Sequence, residues 1–150
     1  MRSGTGAEAD LFYDDLVPGR SFDLGVTTVA EAEMVAYARR YDPQWYHIGD
    51  DPVASGFFTV SLFMRAYVDH VLSRAAAAMS PGLEELRWLA PVRGGDTLAI
   101  RLDVLDRRPS TAKPGLGTVT LAGTMTRVPS GPDVLRTRFR GWFSVRPDSG

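Results

Sequence analysis

An aspartate and a histidine stand close together in the stretch Tyr41–His47, which reads Tyr-Asp-Pro-Gln-Trp-Tyr-His. Carboxylates and imidazoles are the side chains that most often move protons in catalysis near neutral pH. Asp42 and His47 are therefore candidates for a pair that holds one water molecule and removes a proton from it. An Asp-Pro pair before a polar loop is also typical of a simple helix end, so a purely structural role for Asp42 is the alternative.

A second candidate feature follows at Ala54-Ser55-Gly56, where the chain enters the long apolar segment Phe57–Met79. Ser55 is predicted to be the N-cap of a helix. The start of a helix offers free N–H groups and a favourable dipole to an oxygen that gains negative charge. At 1.5 Å per residue, a helix over Phe57–Met79 would be about 34 Å long. In a chain of this size such a helix has to be central, and Pro81-Gly82 is predicted to end it.

The residues before this site predict one strand and one helix. A short strand is expected over Ser21–Val26. Thr28 and Glu31 have the spacing of a capping box, which predicts a helix start. That helix should end at Tyr41, because the following proline disfavours helical geometry at Asp42. The segment 44–53 is expected to be a loop.

The second half of the chain predicts four strands, at Leu83–Val92, Thr97–Asp106, Thr118–Val128 and Val134–Val145. Apolar residues alternate most clearly in the second of them, with Leu98, Ile100, Leu102 and Val104 on one face. Gly123 should weaken the third strand or mark a bulge. One long helix followed by antiparallel strands favours an α+β fold whose sheet curls around the helix.

Length and composition narrow the class of protein. A chain of 150 residues favours a single domain. The absence of cysteine excludes thiolate nucleophiles and disulfides, and it is compatible with the cytoplasm. The net charge of -1 argues against a nucleic-acid partner. Charged residues interrupt the apolar segment Phe57–Met79, so no membrane partner is expected either. Residues 1–10 should form a disordered lead and residues 147–150 a tail.

Three motifs in this order resemble the family of MaoC-like dehydratases and (R)-specific enoyl-CoA hydratases. They are Asp-Pro-Gln-x-x-His at 42–47, Ala-Ser-Gly at 54–56, and Arg-Trp-Leu-x-Pro-Val-x-x-Gly-Asp at 87–96. The resemblance extends from about Leu11 to Val145. It implies a single hotdog domain over residues 11–146.

The resemblance also assigns site residues. It implies that Asp42 and His47 are the catalytic pair. We assign Asp42 as the base that activates water and His47 as its partner in proton transfer, although the sequence alone also allows the two roles to be exchanged. It implies that the amide of Gly56 binds the thioester oxygen and that Ser61, by its spacing after that glycine, supports the site. The expected pocket residues are Gln44, Ser55, Phe57 and Phe58. Ser61 has an alternative role, which is to bond back to a carbonyl of its own helix.

The activity that the resemblance implies is the reversible hydration of 2-enoyl thioesters carried on coenzyme A or acyl carrier protein, with no metal or redox cofactor. A homodimer is expected, and a heterodimer with a related hotdog chain or a higher oligomer is the alternative. The chain departs from the family in one feature, the length of the connection between His47 and Gly56. Only eight residues, 48–55, separate the two here, whereas this connection is usually longer in the family. This short connection keeps open a second function, that of a non-catalytic hotdog subunit that pairs with a related chain. A hotdog thioesterase is a further alternative, since it would use the same helix start with a carboxylate that directs water at the carbonyl.

Overall fold

The computed structural model describes residues 8–148, which form one five-stranded antiparallel sheet and three helices. The strands follow the order β1-β3-β4-β5-β2 across the sheet. Their bounds are β1 Ser21–Thr28, β2 Leu83–Trp88, β3 Thr97–Pro109, β4 Leu116–Val128 and β5 Asp133–Ser144. The helices are α1 Glu31–Tyr41, α2 Trp45–Ile48 and α3 Gly56–His70, and short 3-10 turns lie at Tyr13–Asp15 and Leu72–Arg74.

The sheet curls around α3, which confirms the predicted α+β architecture. The alternation predicted in β3 is real, since Leu98, Ile100, Leu102 and Val104 are all buried. From the helix side, Phe63 and Tyr67 pack against Phe139 of β5, with ring centroids 6.1 and 5.4 Å away. The core therefore lies between one face of α3 and the concave face of the sheet.

Gly123 lets the helix approach the sheet closely, and it does not mark a bulge. It pairs in register with Leu102 on one side and Thr137 on the other. A Cβ atom at this position would stand 2.4 Å from the ring of Phe63. The glycine is therefore required by the packing of α3, a reason that the sequence pattern alone does not contain.

The prediction of a helix over Phe57–Met79 is wrong at its C-terminal end, because α3 stops at His70. The four alanines that follow favour a helix by propensity, yet they run extended along other backbone. The Ala76 N–H donates to the Leu11 carbonyl at 2.9 Å, and the Ala78 N–H donates to the Trp142 carbonyl at 2.8 Å. These bonds pair backbone N–H groups of the alanine stretch and cover part of the edge of β5. Contacts with distant segments therefore override the helix propensity of the alanines.

The predicted capping box is also wrong. Thr28 is the last residue of β1, and its hydroxyl bonds to the hydroxyl of Thr97 on the neighbouring strand at 3.2 Å. The N-cap of α1 is Ala30, which has no side-chain cap. The other end of the helix is confirmed, since α1 stops at Tyr41.

Strand bounds differ from the predictions by a few residues. The strand β1 continues two residues beyond Val26, β3 reaches Pro109, and β2 ends at Trp88 rather than Val92. The predicted loop at 44–53 contains the short helix α2.

The two ends of the folded unit meet. The Arg146 N–H donates to the carboxylate of Asp14 at 2.7 Å. Asp10, at the end of the predicted lead, forms an ion pair with Arg74 at 2.9 Å. The rest of the predicted lead and tail, at 1–7 and 149–150, lies outside the described residues. Within 8–148, none of the helices has the length and apolar character needed to cross a bilayer.

Candidate active site

Asp42 joins the end of one helix to the start of another. It is the C-cap residue of α1, and its own N–H donates to the Ala38 carbonyl at 2.8 Å. Its Oδ2 accepts a hydrogen bond of 2.7 Å from the hydroxyl of Ser55, the residue immediately before α3. Ser55 is thus at the predicted N-cap position, but its side chain makes no cap bond and holds Asp42 instead.

His47 contacts the same carboxylate from α2. The imidazole is only 8% exposed, and its Nδ1 lies 2.6 Å from the Val53 carbonyl. Because a carbonyl can only accept, Nδ1 carries a proton. Its Nε2 lies 3.2 Å from Asp42 Oδ2. The structure therefore brings the two predicted catalytic groups together in a geometry that allows a proton to pass between them.

Gln44 completes the surroundings of the carboxylate. Its Nε2 donates to Asp42 Oδ1 at 2.5 Å, while its own Oε1 accepts from the hydroxyl of Tyr46. The ring of Tyr46 also packs edge-on against His47, with centroids 4.4 Å apart. The hydrogen bond from Gln44, then that from Ser55 and the nearby His47, lower the pKa of Asp42 against the opposing effect of burial.

The start of α3 lies beneath the indole of Trp88. The Trp88 Nε1–H donates to the Gly56 carbonyl at 2.9 Å, and a Cβ on Gly56 would stand 2.3 Å from the indole ring. Only glycine fits this contact. Because Gly56 is the first residue of the helix, its N–H has no partner within the helix. Phe57 packs edge-on against Trp88, with centroids 5.3 Å apart.

These groups surround a cavity of about 490 Å³. Its lining residues come from the C-cap of α1, the connection before α3, the start of α3, the end of β2 with the segment after it, and the start of β5: Asp42, Val53, Ala54, Gly56, Phe57, Thr59, Trp88, Leu89, Ala90, Pro91, Val92 and Val134. Apart from Asp42, Thr59 and Trp88, the lining side chains are apolar. The arrangement places a carboxylate and a helix start at the wall of one largely apolar pocket.

The predicted site residues fall into three groups. Asp42, Gly56 and Phe57 line the cavity, whereas His47, Gln44 and Ser55 contact Asp42 without being part of the lining. Two residues are not brought to the cavity. Phe58 is 4% exposed and packs in the core against Tyr37, with ring centroids 5.7 Å apart. Ser61 is exposed, and its hydroxyl donates to the Phe57 carbonyl at 2.9 Å.

Sequence reasoning missed Trp88 and Thr59 as site residues. The sequence predicts Trp88 only as part of a strand and of a family motif, and nothing near it shows that its indole covers Gly56, 32 positions earlier. Thr59 does carry a signal, since it is the first hydroxyl within the apolar segment that begins at Phe57. A polar residue at that point of an apolar helix is a candidate for a site facing a pocket.

The short connection at 48–55 does not separate the pair from the helix start. The Val53 N–H donates to the Tyr46 carbonyl at 2.8 Å, and the Ala54 N–H donates to the Val92 carbonyl at 2.7 Å. These two bonds fix the connection between α2 and the segment after β2. Asp42 and Ser55 consequently stay in direct contact.

Among residues 8–148 no group of three or more histidines, aspartates and glutamates has an arrangement that could hold a metal ion. Asp51, in the connection between α2 and α3, forms an ion pair with Arg93 at 3.6 Å instead. The absence of a metal and of a redox cofactor stays a prediction.

Comparison with known proteins agrees with this geometry. The MaoC-like dehydratase of Rhodospirillum rubrum superposes with a TM-score of 0.83 at 30% identity, covering 92% of this chain and 99% of that one. The R-hydratase PhaJ1 of Pseudomonas aeruginosa superposes with a TM-score of 0.70 at 20% identity, covering 93% of both chains. A Mycobacterium tuberculosis protein described as a double hotdog fold matches with a TM-score of 0.74 at 19% identity, over 93% of this chain and 46% of that one.

The fold is thus the hotdog fold, which confirms the expectation from the motifs. The sequence pattern of the family described as "MaoC like domain" matches residues 15–125, from the first 3-10 turn into β4. That match includes every residue placed around the Asp42 carboxylate. The chain belongs to the MaoC-like domain family.

Proposed function

We propose that the protein catalyses the reversible hydration of 2-enoyl thioesters to 3-hydroxyacyl thioesters, with the acyl group carried on coenzyme A or acyl carrier protein. One observation carries the proposal. The Asp42 carboxylate is held between His47 and the residue that precedes α3, and it faces the same cavity as Gly56. Membership of a family that includes a MaoC-like dehydratase supports it.

Hydration of the double bond requires that one proton is removed from water and one proton is delivered to C2 of the enoyl group. The carboxylate of Asp42 takes a proton from water while the oxygen of that water bonds to C3 of the enoyl group. The C2=C3 π bond opens, and C2 receives a proton from the Asp42–His47 pair. Asp42 Oδ1 accepts one bond, from Gln44, and so keeps a lone pair for the water. No net oxidation or reduction occurs, so the proposed reaction requires no redox cofactor.

The start of α3 would stabilise the thioester oxygen, which gains negative charge as water adds to C3. The unpaired N–H of Gly56 and the dipole of a 15-residue helix favour an anion at this end. The indole of Trp88 bonds to the Gly56 carbonyl and fixes this turn. The site thereby combines proton transfer and charge stabilisation on opposite parts of one substrate.

The test is the loss of enoyl-thioester absorbance when the protein is added to crotonyl-CoA and to a longer 2-enoyl-CoA. We expect hydration by the wild-type protein and a fall of about 100-fold or more in kcat for Asp42→Asn and for His47→Ala, because each removes a proton-transfer group. Asp69→Asn and His70→Ala are matched controls, since both residues are exposed on α3. Both controls should keep full activity.

Other outcomes identify the rival functions. Release of free thiol without loss of the double bond would show a thioesterase and contradict the proposal. A folded wild-type protein that is inactive alone and gains activity with a second hotdog chain would show a supporting subunit. The direct bond between Asp42 and Ser55 favours an intact site over this second rival.

We further propose that the protein is a homodimer. The strand β2 lies at an edge of the sheet, and within the described part of the chain its outer backbone edge has no strand beside it. Large apolar side chains along this edge, Leu83, Trp88 and Leu89, are exposed. An open edge with apolar side chains favours pairing with a second copy.

A further inference from the structure

Thr59 carries a hydroxyl that the fold itself does not use. The residue lies one turn into α3, is 2% exposed, and lines the same cavity as Asp42 and Gly56. Its N–H bonds to the Ser55 carbonyl at 3.2 Å, but no group among residues 8–148 pairs with its hydroxyl. By contrast, the buried hydroxyl of Thr137 donates to the Glu85 carbonyl at 2.8 Å.

Among residues 8–148, the Thr59 hydroxyl is not one of the fully buried side-chain atoms that lack a partner, so it is open to the cavity that it lines. A valine would have the same shape at this position, and most of the surrounding wall is apolar. A hydroxyl that is open to an otherwise apolar cavity and has no protein partner points to a ligand atom as its partner.

The other polar side chains of the cavity already have roles. Asp42 is occupied by three protein contacts and keeps its remaining lone pair for water. The indole N–H of Trp88 is committed to the Gly56 carbonyl. Thr59 is thus the one uncharged side-chain donor of the described lining that is still available to a substrate oxygen.

The position of Thr59 favours one substrate atom. Residues three apart lie on the same side of a helix, and side chains lean toward the helix N-terminus. The Thr59 hydroxyl consequently lies on the side of α3 where Gly56 offers its free N–H. Two donors on that side suit one oxygen acceptor.

We infer that the hydroxyl of Thr59 donates a hydrogen bond to the acyl oxygen of the thioester, next to the Gly56 N–H. The inference rests on the proposed function, since it names a second donor for the oxygen that gains charge during hydration. It makes Thr59 a catalytic residue that contacts substrate.

The matched variants are Thr59→Val, which keeps the shape and removes the hydroxyl, and Thr59→Ser, which keeps the hydroxyl. With crotonyl-CoA we expect kcat to fall about 10- to 100-fold in Thr59→Val and to stay within about 3-fold in Thr59→Ser. The Tm of Thr59→Val should equal or exceed that of the wild-type protein, because an unpaired polar group is replaced by a methyl group. A merely structural hydroxyl would instead lower the Tm when removed.

A binding measurement separates this inference from the proposed function. Butyryl-CoA has the same acyl oxygen but no double bond to hydrate. By calorimetry we expect Thr59→Val to bind it about 3- to 10-fold more weakly than the wild-type protein and Thr59→Ser do. Weaker binding by Thr59→Val, together with a wild-type protein that hydrates nothing, would support the inference and overturn the proposed function.

Three results would overturn the inference. The first is a Thr59→Val protein that binds and turns over like an active wild-type protein. The second is a Thr59→Ser protein as impaired as Thr59→Val. The third is a wild-type protein that does not bind butyryl-CoA at all.

Discussion

At the scale of single residues, neutral donors do more than charge to keep Asp42 ionised. The hydrogen bond from the Gln44 amide is the largest cause of its lowered pKa, the hydroxyl of Ser55 is the next, and the charge of His47 ranks after both. Hydrogen bonds to the charged form favour that form. Because short-range bonds are screened far less than long-range charges, the ionisation of Asp42 should depend little on salt.

Replacing Gln44 by methionine should move the acid limb of the pH–rate profile. The wild-type carboxylate accepts a proton from water only while ionised, so kcat/KM falls as the pH drops through its lowered pKa. Gln44→Met removes the largest cause of that lowering. The pKa of Asp42 then rises, and activity is lost at a higher pH than in the wild-type protein.

The measurement is kcat/KM for crotonyl-CoA from about pH 2.5 to about pH 7, a range that includes pH values below the ordinary carboxyl pKa of 3.8, with Trp45→Phe as the control. Trp45 neighbours Gln44 and is exposed, so its variant should keep the wild-type profile. An acid limb in Gln44→Met that coincides with the wild-type limb would contradict this assignment. The proton-transfer variants of Asp42 and His47 belong to the same scale and test the pair directly.

At the scale of elements, one glycine sets how closely α3 approaches the sheet. The Phe63 ring occupies the space that a Cβ at Gly123 would need, with only 2.4 Å between them. We expect Gly123→Ala to lower the free energy of unfolding by about 1–3 kcal/mol, as overpacking does in a filled core. Urea unfolding provides the measurement.

A double-mutant cycle tests the cause. The Phe63→Leu substitution shortens the side chain that faces Gly123. In that background, Gly123→Ala should lower the free energy of unfolding clearly less than it does in the wild-type protein. An equal loss in the free energy of unfolding in both backgrounds would show that the added Cβ clashes with another residue. Thr137 is the alternative, because its Cγ2 would lie 3.1 Å from the added atom.

Much of the fold could be predicted because its signals are local. The strict alternation in β3 predicts a half-buried strand, and Pro43 predicts the end of α1, since each effect acts within a few residues. The stretch Ala75–Ala78 could not be assigned in this way. Its extended form depends on hydrogen bonds to Leu11 and to Trp142, which are far away in sequence.

The candidate site could likewise be predicted only in part from the sequence. The spacing of Asp42 and His47, together with the later motifs, is enough to indicate the pair. The contacts that give the pair its properties come from the fold: the Ser55 hydroxyl leaves its capping role for Asp42, and Trp88 covers Gly56. Phe58 illustrates the converse, because two adjacent phenylalanines look equivalent in sequence although only Phe57 lines the cavity.

At the scale of the whole molecule, the proposed dimer predicts that a charge on the edge strand β2 weakens the association of the two copies. Leu83 lies on this edge strand and is 51% exposed in the single chain. Leu83→Lys would place a charge in an interface formed along that edge, so we expect it to shift the protein from dimer to monomer. Light scattering coupled to size-exclusion chromatography measures the mass in solution.

The matched control is Leu105→Lys. Leu105 is 48% exposed but lies in β3, which β4 and β5 separate from β2 in the sheet, so it is away from the proposed interface. This variant should keep the mass of the wild-type protein. A dimer that survives Leu83→Lys but not Leu105→Lys would place the interface elsewhere, and a monomeric wild-type protein would contradict the dimer.

The bond between the Arg146 N–H and the Asp14 carboxylate has a consequence for how this unit can be built into other proteins. The two residues are 132 positions apart in the chain, yet they are hydrogen-bonded neighbours. A unit whose entry and exit points share one corner can be inserted into a surface loop of a host protein with short linkers. Such an insertion would leave the cavity and the open edge of β2 intact. The linkers would start beside the turn at Tyr13–Asp15, which is part of neither the cavity lining nor β2.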